Sequence, residues 1–153
     1  LRHLHLKADH YSALERDPAW RWPHFTPYEM RCQGTEKVKV GFVFMDRLQA
    51  IRKAYGRPLS VFSGYRSPEW NLAVTKRKSR TGAHTHGRAV DLWPAGGVED
   101  VPLILNLAWT HGMTRCGLML SRPEQRFHLD DMTASEGFAV REDSRGLFCW
   151  TYP

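Results

Sequence analysis

His84 and Asp91 stand seven positions apart, and His128 follows much later beside an apolar run. Two imidazoles and a carboxylate form a three-ligand set suited to zinc, with a fourth position left open. A metal held that way turns water into a nucleophile at neutral pH. The segment Gly82-Ala83-His84-Thr85-His86-Gly87-Arg88-Ala89-Val90-Asp91-Leu92 carries the first two ligands. Gly87 lies between them and admits the positive φ of a sharp turn. His86 is a rival ligand, because on an extended segment it shares a side with His84. The preferred place for it is a supporting or solvent-facing one.

Hydrolysis also needs a group to take the proton of water. The acids near His128 are Glu124, Asp130 and Asp131. Glu124 follows Pro123 in a loop, where it is either the base or an exposed loop acid. Asp130 shares a strand face with His128, so it is either a base or the partner that orients the ring. Arg66 comes after a strand and a glycine turn. Its guanidinium either clamps a substrate carboxylate or carbonyl or bonds loop carbonyls. Tyr65 is a neighbouring hydrogen-bond donor or a core residue.

These residues need a scaffold that gathers distant segments. Thr26-Pro27-Tyr28-Glu29 offers a cap, a proline at the first helical position and an acid in the first turn, so a short helix begins there. Residues 40–55 read as the strongest helix, with Phe44, Leu48, Ile51 and Tyr55 on one face. Gly56 and Pro58 stop it. Residues 59–62 read as a strand that ends in a turn over 63–68. A second helix starts at Pro68 and runs toward Val74, and residues 75–83 form a polar loop. Residues 89–93 read as a buried strand broken by Pro94. Residues 99–111 suit a helix with Val101, Ile104, Leu105 and Ala108 on one side, ended by Gly112. Strands are expected at 116–120, 126–129 and 147–152. The first thirty residues, rich in aromatics and prolines, read as an irregular or short-helical segment that wraps the core, with residues 1–23 as the irregular N-terminal wrap. The order predicts an α+β fold, a small and mainly antiparallel sheet with flanking helices, in a single domain over residues 1–153.

The chain has 153 residues with 42% hydrophobic content, enough for an ordinary globular core. No apolar stretch is long enough to cross a bilayer. The residues as given open with no basic-then-apolar leader, and export is read in neither direction. Net charge is +6, which is either a plain basic surface or an attraction to an anionic polymer, nucleic acid or cell wall. The densest basic run is Lys76-Arg77-Lys78-Ser79-Arg80, a solvated loop that could also steer an acidic substrate. No nucleic-acid motif accompanies it. Cys32, Cys116 and Cys149 form no CxxC pair and read as buried free thiols, with one bridge plus one free thiol as the alternative. No dimerisation stripe stands out, so a monomer is the default.

Three segments resemble one known family. Ser63-Gly64-Tyr65-Arg66-Ser67-Pro68-Glu69-Trp70-Asn71 resembles its SGYRSPxxN element. His84-x-x-Gly87-x-Ala89-x-Asp91 resembles its SxHxxGxAxD element. Phe127-His128-Leu129-Asp130 resembles its closing apolar-His-apolar-Asp element. The family is that of zinc D-Ala-D-Ala carboxypeptidases and L-alanyl-D-glutamate endopeptidases, including phage endolysins and related murein hydrolases. Its fold is shared with the signalling domain of hedgehog proteins. The likeness spans roughly residues 24–130, with the motifs in order.

The resemblance implies Zn²⁺ on His84, Asp91 and His128, and substrate held by Arg66. It implies hydrolysis of peptide bonds in peptidoglycan stem peptides, at the bacterial cell wall or in the periplasm, in a phage or bacterial protein. Two positions depart from the pattern. The family's serine two residues before the first ligand is Gly82 here, so its substrate hydrogen bond is either missing or supplied by Thr81 or Thr85. The acid three residues before the last ligand is Gln125, with Glu124 one position away. Two other functions stay open: a zinc-containing binding module without catalysis, for which Gly82 and Gln125 speak, and a basic nucleic-acid-binding protein.

Overall fold

The computed structural model describes residues 4–75, 79–121, 123–141 and 146–152. Strand β1 (His5–Ala8) pairs antiparallel with β2 (Val38–Gly41) in a two-stranded sheet. Helix α1 (Pro27–Met30) starts at Thr26, whose hydroxyl accepts from the Glu29 amide while the Glu29 carboxylate accepts from the Thr26 amide. Both orphan donors of the first turn are thereby satisfied. Helix α2 (Phe42–Tyr55) buries Phe44, Leu48, Ile51 and Tyr55, the face that periodicity assigns, and Gly56 closes it in the left-handed conformation. Helices α3 (Pro68–Val74) and α4 (Val101–Thr110) complete the helical set among the described residues.

The main sheet has the order β3-β4-β6-β5-β7, with β3 (Leu59–Ser63), β4 (Ala89–Pro94), β5 (Arg115–Met119), β6 (Arg126–Asp130) and β7 (Phe148–Thr151). All neighbours are antiparallel except the β5–β7 pair. The fold is α+β, a small sheet with flanking helices, as the order of elements implies. Alternation along the strands divides the sheet into two chemically different faces. Val90 and Leu92 of β4 pair with Leu129 and Phe127 of β6, and all four are buried in one apolar cluster with α2 and α4. The residues between them, Asp91 and His128, face the other side and are direct cross-strand partners.

Three expectations need correction. The segment over residues 1–23 holds a short helical turn at Tyr11–Leu14, as one of its two readings has it, but also a strand, β1, that neither reading contains. Its wrapping role survives further on, where Trp22 and Phe25 are buried and the Trp22 indole donates to Asp46 of α2. The long helix begins at Phe42 rather than residue 40, since 38–41 is the partner strand of β1. The helix expected over 99–111 is a 3-10 turn at Gly97–Asp100 followed by α4, because the Asp100 carboxylate is engaged by Tyr55 and Arg57 instead of capping. Strand ends differ by one or two residues elsewhere. All three cysteines are free; Cys32 and Cys116 are buried, but Cys149 lies exposed on edge strand β7. Among the described residues no helix is long and apolar enough to cross a membrane.

A buried charged cluster ties the elements around the site. Arg88, only 3% exposed, donates to the Asp131 carboxylate at 2.7 Å, to the Asp131 carbonyl at 2.8 Å and to Glu136. Arg47 of α2 reaches the second Asp131 oxygen at 2.8 Å. Removing one partner of such a group leaves an uncompensated buried charge. Arg88→Met should therefore lower the unfolding free energy in urea by about 3–5 kcal/mol. A change below about 1 kcal/mol would show that the pairing contributes only as a surface pair does.

Candidate metal centre

One row crosses the main sheet: Ser63 on β3, Asp91 on β4, His128 on β6, Gly117 on β5 and Trp150 on β7. A β-bulge between Val61 and Ser63 sets Ser63 opposite Asp91, a common device beside functional sites. His84 enters from a 3-10 turn, Ala83–His86, that precedes β4. Gly87 ends that turn at φ 68, and a Cβ there would lie 2.4 Å from the Lys39 carbonyl oxygen. Glycine is required at that corner on both counts. The His84 carbonyl accepts from the amides of Arg66 and Gly87, which fixes the residue's backbone.

Both histidine rings are oriented by what they do on their outer nitrogens. Nδ1 of His84 lies 2.7 Å from the Gly64 carbonyl oxygen. A carbonyl only accepts, so Nδ1 carries the proton and the Nε2 lone pair points inward. Nε2 of His128 lies 2.6 Å from the Asp130 carboxylate, which leaves Nδ1 of that ring facing inward. Gly64 is pressed so closely on α1 that a Cβ would come within 2.7 Å of Met30 backbone atoms. A larger residue would displace the carbonyl that aims His84.

The three inward atoms meet. His84 Nε2 is 3.3 Å from Asp91 Oδ1, His128 Nδ1 is 3.1 Å from the same oxygen, and the two nitrogens are 3.2 Å apart. Donors of roughly 2.0–2.1 Å bond length at tetrahedral angles stand about 3.3–3.4 Å from each other, so the triangle has the size of one zinc face. His84, Asp91 and His128 are all buried and form the metal-capable cluster found among the described residues.

The three groups act strongly on one another. Burial disfavours the Asp91 carboxylate, yet the two imidazoles hold its pKa well below the ordinary value. Burial also opposes charge on His128, but Asp130 and Asp91 outweigh it and lift the ring to about 9. His84 is moved the other way by burial, with Asp91 only partly opposing. Arg66 lies alongside, donating from Nη2 to Asp91 Oδ2 at 2.9 Å and from Nε to Ser63 at 3.0 Å. It bonds these side chains rather than loop carbonyls.

The acids near His128 fall into three situations. Asp130 is fully buried behind the His128 ring; its Oδ2 also takes Arg115 at 3.1 Å and its Oδ1 takes the Met132 amide. Asp131 is held between Arg88 and Arg47. The Glu124 side chain is 76% exposed in the turn before β6 and pairs with Arg126 at 3.1 Å. The structure therefore does not bring Glu124 into the cluster.

His86 also stays out; its carbonyl meets the His5 ring and its own ring packs edge-on against Phe138. Tyr65 is half-buried, and its amide donates to the Met30 carbonyl. Thr85 bonds the backbone of Gly82 in both directions, and Gln125 donates to the Leu120 carbonyl. Arg80 pairs loosely with Glu69 at 3.6 Å, and residues 76–78 of the basic run lie outside those described. Sequence reasoning missed the Gly64 carbonyl, Arg115 and Trp150, because each acts across long sequence separation.

The buried His-Asp-His triangle on the polar sheet face, with an arginine beside it, is a group of side chains able to hold a metal ion. The peptidase M15 family model matches residues 23–130, and the chain belongs to that family. Peptidases of this family are zinc-dependent. No curated protein matches the chain.

The role of Asp130 in aiming His128 is open to a direct check. Asp130→Asn should weaken zinc binding by about 10–100-fold, measured by competition with a chromophoric chelator. Unchanged affinity would remove Asp130 from the support of the ligand.

Proposed function

We propose that the protein hydrolyses peptide bonds in peptidoglycan stem peptides, as a D,D-carboxypeptidase or an L,D-endopeptidase acting at the bacterial cell wall. The observation that carries this is the convergence of His84, Asp91 and His128 at 3.1–3.3 Å in a chain of the M15 family. Those three residues would hold Zn²⁺. When bound, zinc supplies a Lewis acid that acidifies water at neutral pH and polarises the scissile carbonyl. Gly64 and Asp130, by accepting hydrogen bonds from the outer nitrogens, turn His84 Nε2 and His128 Nδ1 inward. Arg66 orients Asp91 through Nη2, and its remaining Nη1 is suited to a substrate carboxylate or carbonyl.

Asp130 and Asp131 are engaged by arginines and backbone, so neither is suited to take a proton from the open side of the cluster. Glu124 is the acid still able to do so. It lies in the exposed turn before β6, where it pairs with Arg126, and would have to leave that partner to act. Proton acceptance and return to the leaving amine are assigned to it.

Zinc-loaded protein should release soluble peptides or free amino acids from purified peptidoglycan, detected by mass spectrometry, and chelation should abolish this until zinc is restored. Glu124→Gln should lower kcat by about 10²–10⁴-fold with zinc content unchanged. A variant as active as wild type would remove Glu124 from the reaction. The exposure of Glu124, with Gly82 and Gln125, favours a second reading, a zinc-containing module that binds the wall without cutting it. Wild-type protein that carries zinc and sediments with peptidoglycan but releases nothing would establish the module.

A further inference from the structure

The row of site residues continues past the metal-binding triangle. His128 is opposite Gly117 of β5, and Gly117 is opposite Trp150 of β7. The Trp150 ring stands 5.4 Å from the His128 ring, and Tyr152 stands 5.9 Å from Trp150 at a steep angle. Both rings lie over Gly117. A Cβ at Gly117 would be 2.6 Å from the Trp150 indole and 2.7 Å from the Tyr152 ring. The bare glycine is what leaves room for both rings over this position. Strand β7 falls outside the part of the chain that the family model matches.

Packing alone does not account for this placement. The apolar core uses the opposite face of the sheet, through Val90, Leu92, Phe127 and Leu129. Trp150 and Tyr152 sit on the polar face and are only half-buried. Arg115 lies under the indole at 4.8 Å, with its charge taken up by Asp130, so the surface that the rings present is uncharged. Burial lifts the Tyr152 phenol above its ordinary value; Trp150 opposes this by a hydrogen bond, and Asp91 and Arg66 act on it in opposite directions.

We infer that Trp150 and Tyr152 form a substrate subsite, an aromatic shelf that binds the uncharged aliphatic part of the peptide on the side of the scissile amide away from Arg66. It rests on the proposed peptidase function. Arg66 is at the β3 end of the row and suits a carboxylate; the shelf is at the β7 end and suits CH groups laid against π faces. The peptide would cross the strands between them, with its amide over the triangle.

The test is equilibrium binding of soluble disaccharide-peptide fragments, prepared from peptidoglycan with a muramidase, to zinc-loaded wild type, Trp150→Ala, Trp150→Phe and Tyr152→Ala. Zinc content and thermal melting are measured for each. Trp150→Ala should bind the fragments roughly tenfold more weakly with one zinc retained, and Trp150→Phe should recover most of the loss. Tyr152→Ala, which leaves the His128 neighbour in place, should show a smaller loss and serves if Trp150→Ala does not fold. Fragment affinity unchanged in Tyr152→Ala and Trp150→Ala would overturn the shelf, as would loss of zinc in parallel with affinity, since Trp150 would then only support His128. Wild type that cuts peptidoglycan while both variants bind normally defeats the shelf and leaves the peptidase standing. Wild type that binds fragments through the shelf without cutting them defeats catalysis alone.

Discussion

Two imidazole nitrogens and a carboxylate oxygen turned to one point in a buried site are stable there only if they share a proton or a cation. Here that arrangement is enforced from outside. The Gly64 carbonyl accepts from the outer nitrogen of His84, and Asp130 accepts from that of His128. Asp91 adds a carboxylate oxygen, with its other oxygen on Arg66. The rest of the structure can be understood as what keeps these orienting groups in place. Gly64 is pinned against Met30, Asp130 against Arg115 and the Met132 amide, and the chain leading to Asp91 against Asp131 through Arg88.

The sheet makes this possible by separating two environments a few ångströms apart. One face contributes to the apolar cluster that stabilises the fold, and the other carries the buried polar cluster. Period-two alternation places Asp91 and His128 on the same side once β4 and β6 pair in the observed register. A slip of one residue in β6 would turn His128 into the apolar core and bring Phe127 and Leu129 out onto the polar face. The buried Arg88–Asp131 cluster guards against such a slip, since its hydrogen bonds are satisfied in only one register.

Much of this was legible in the sequence because its causes are local. The cap at Thr26, the apolar stripe of α2 and the break at Gly56 are short-range signals; α1 starts and α2 ends where they were expected. The spacing of His84, Gly87 and Asp91 encodes a turn followed by a strand, and that is what forms. Features that depend on distant partners were not legible. Strand β1 is four residues long and exists because Val38–Gly41 lies beside it, which a helix-like pattern concealed. The surroundings of the acids depend on arginines tens of positions away, so Asp130, Asp131 and Glu124 looked alike until their partners were seen.

X-ray absorption at the zinc edge of the zinc-loaded protein tests the central claim most directly. The account predicts only nitrogen and oxygen neighbours at roughly 2.0–2.1 Å, with the outer-shell scattering of two imidazole rings, and loss of one ring in His84→Ala. Sulfur at about 2.3 Å, from any of the three free cysteines, or a spectrum without imidazole scattering, would contradict it.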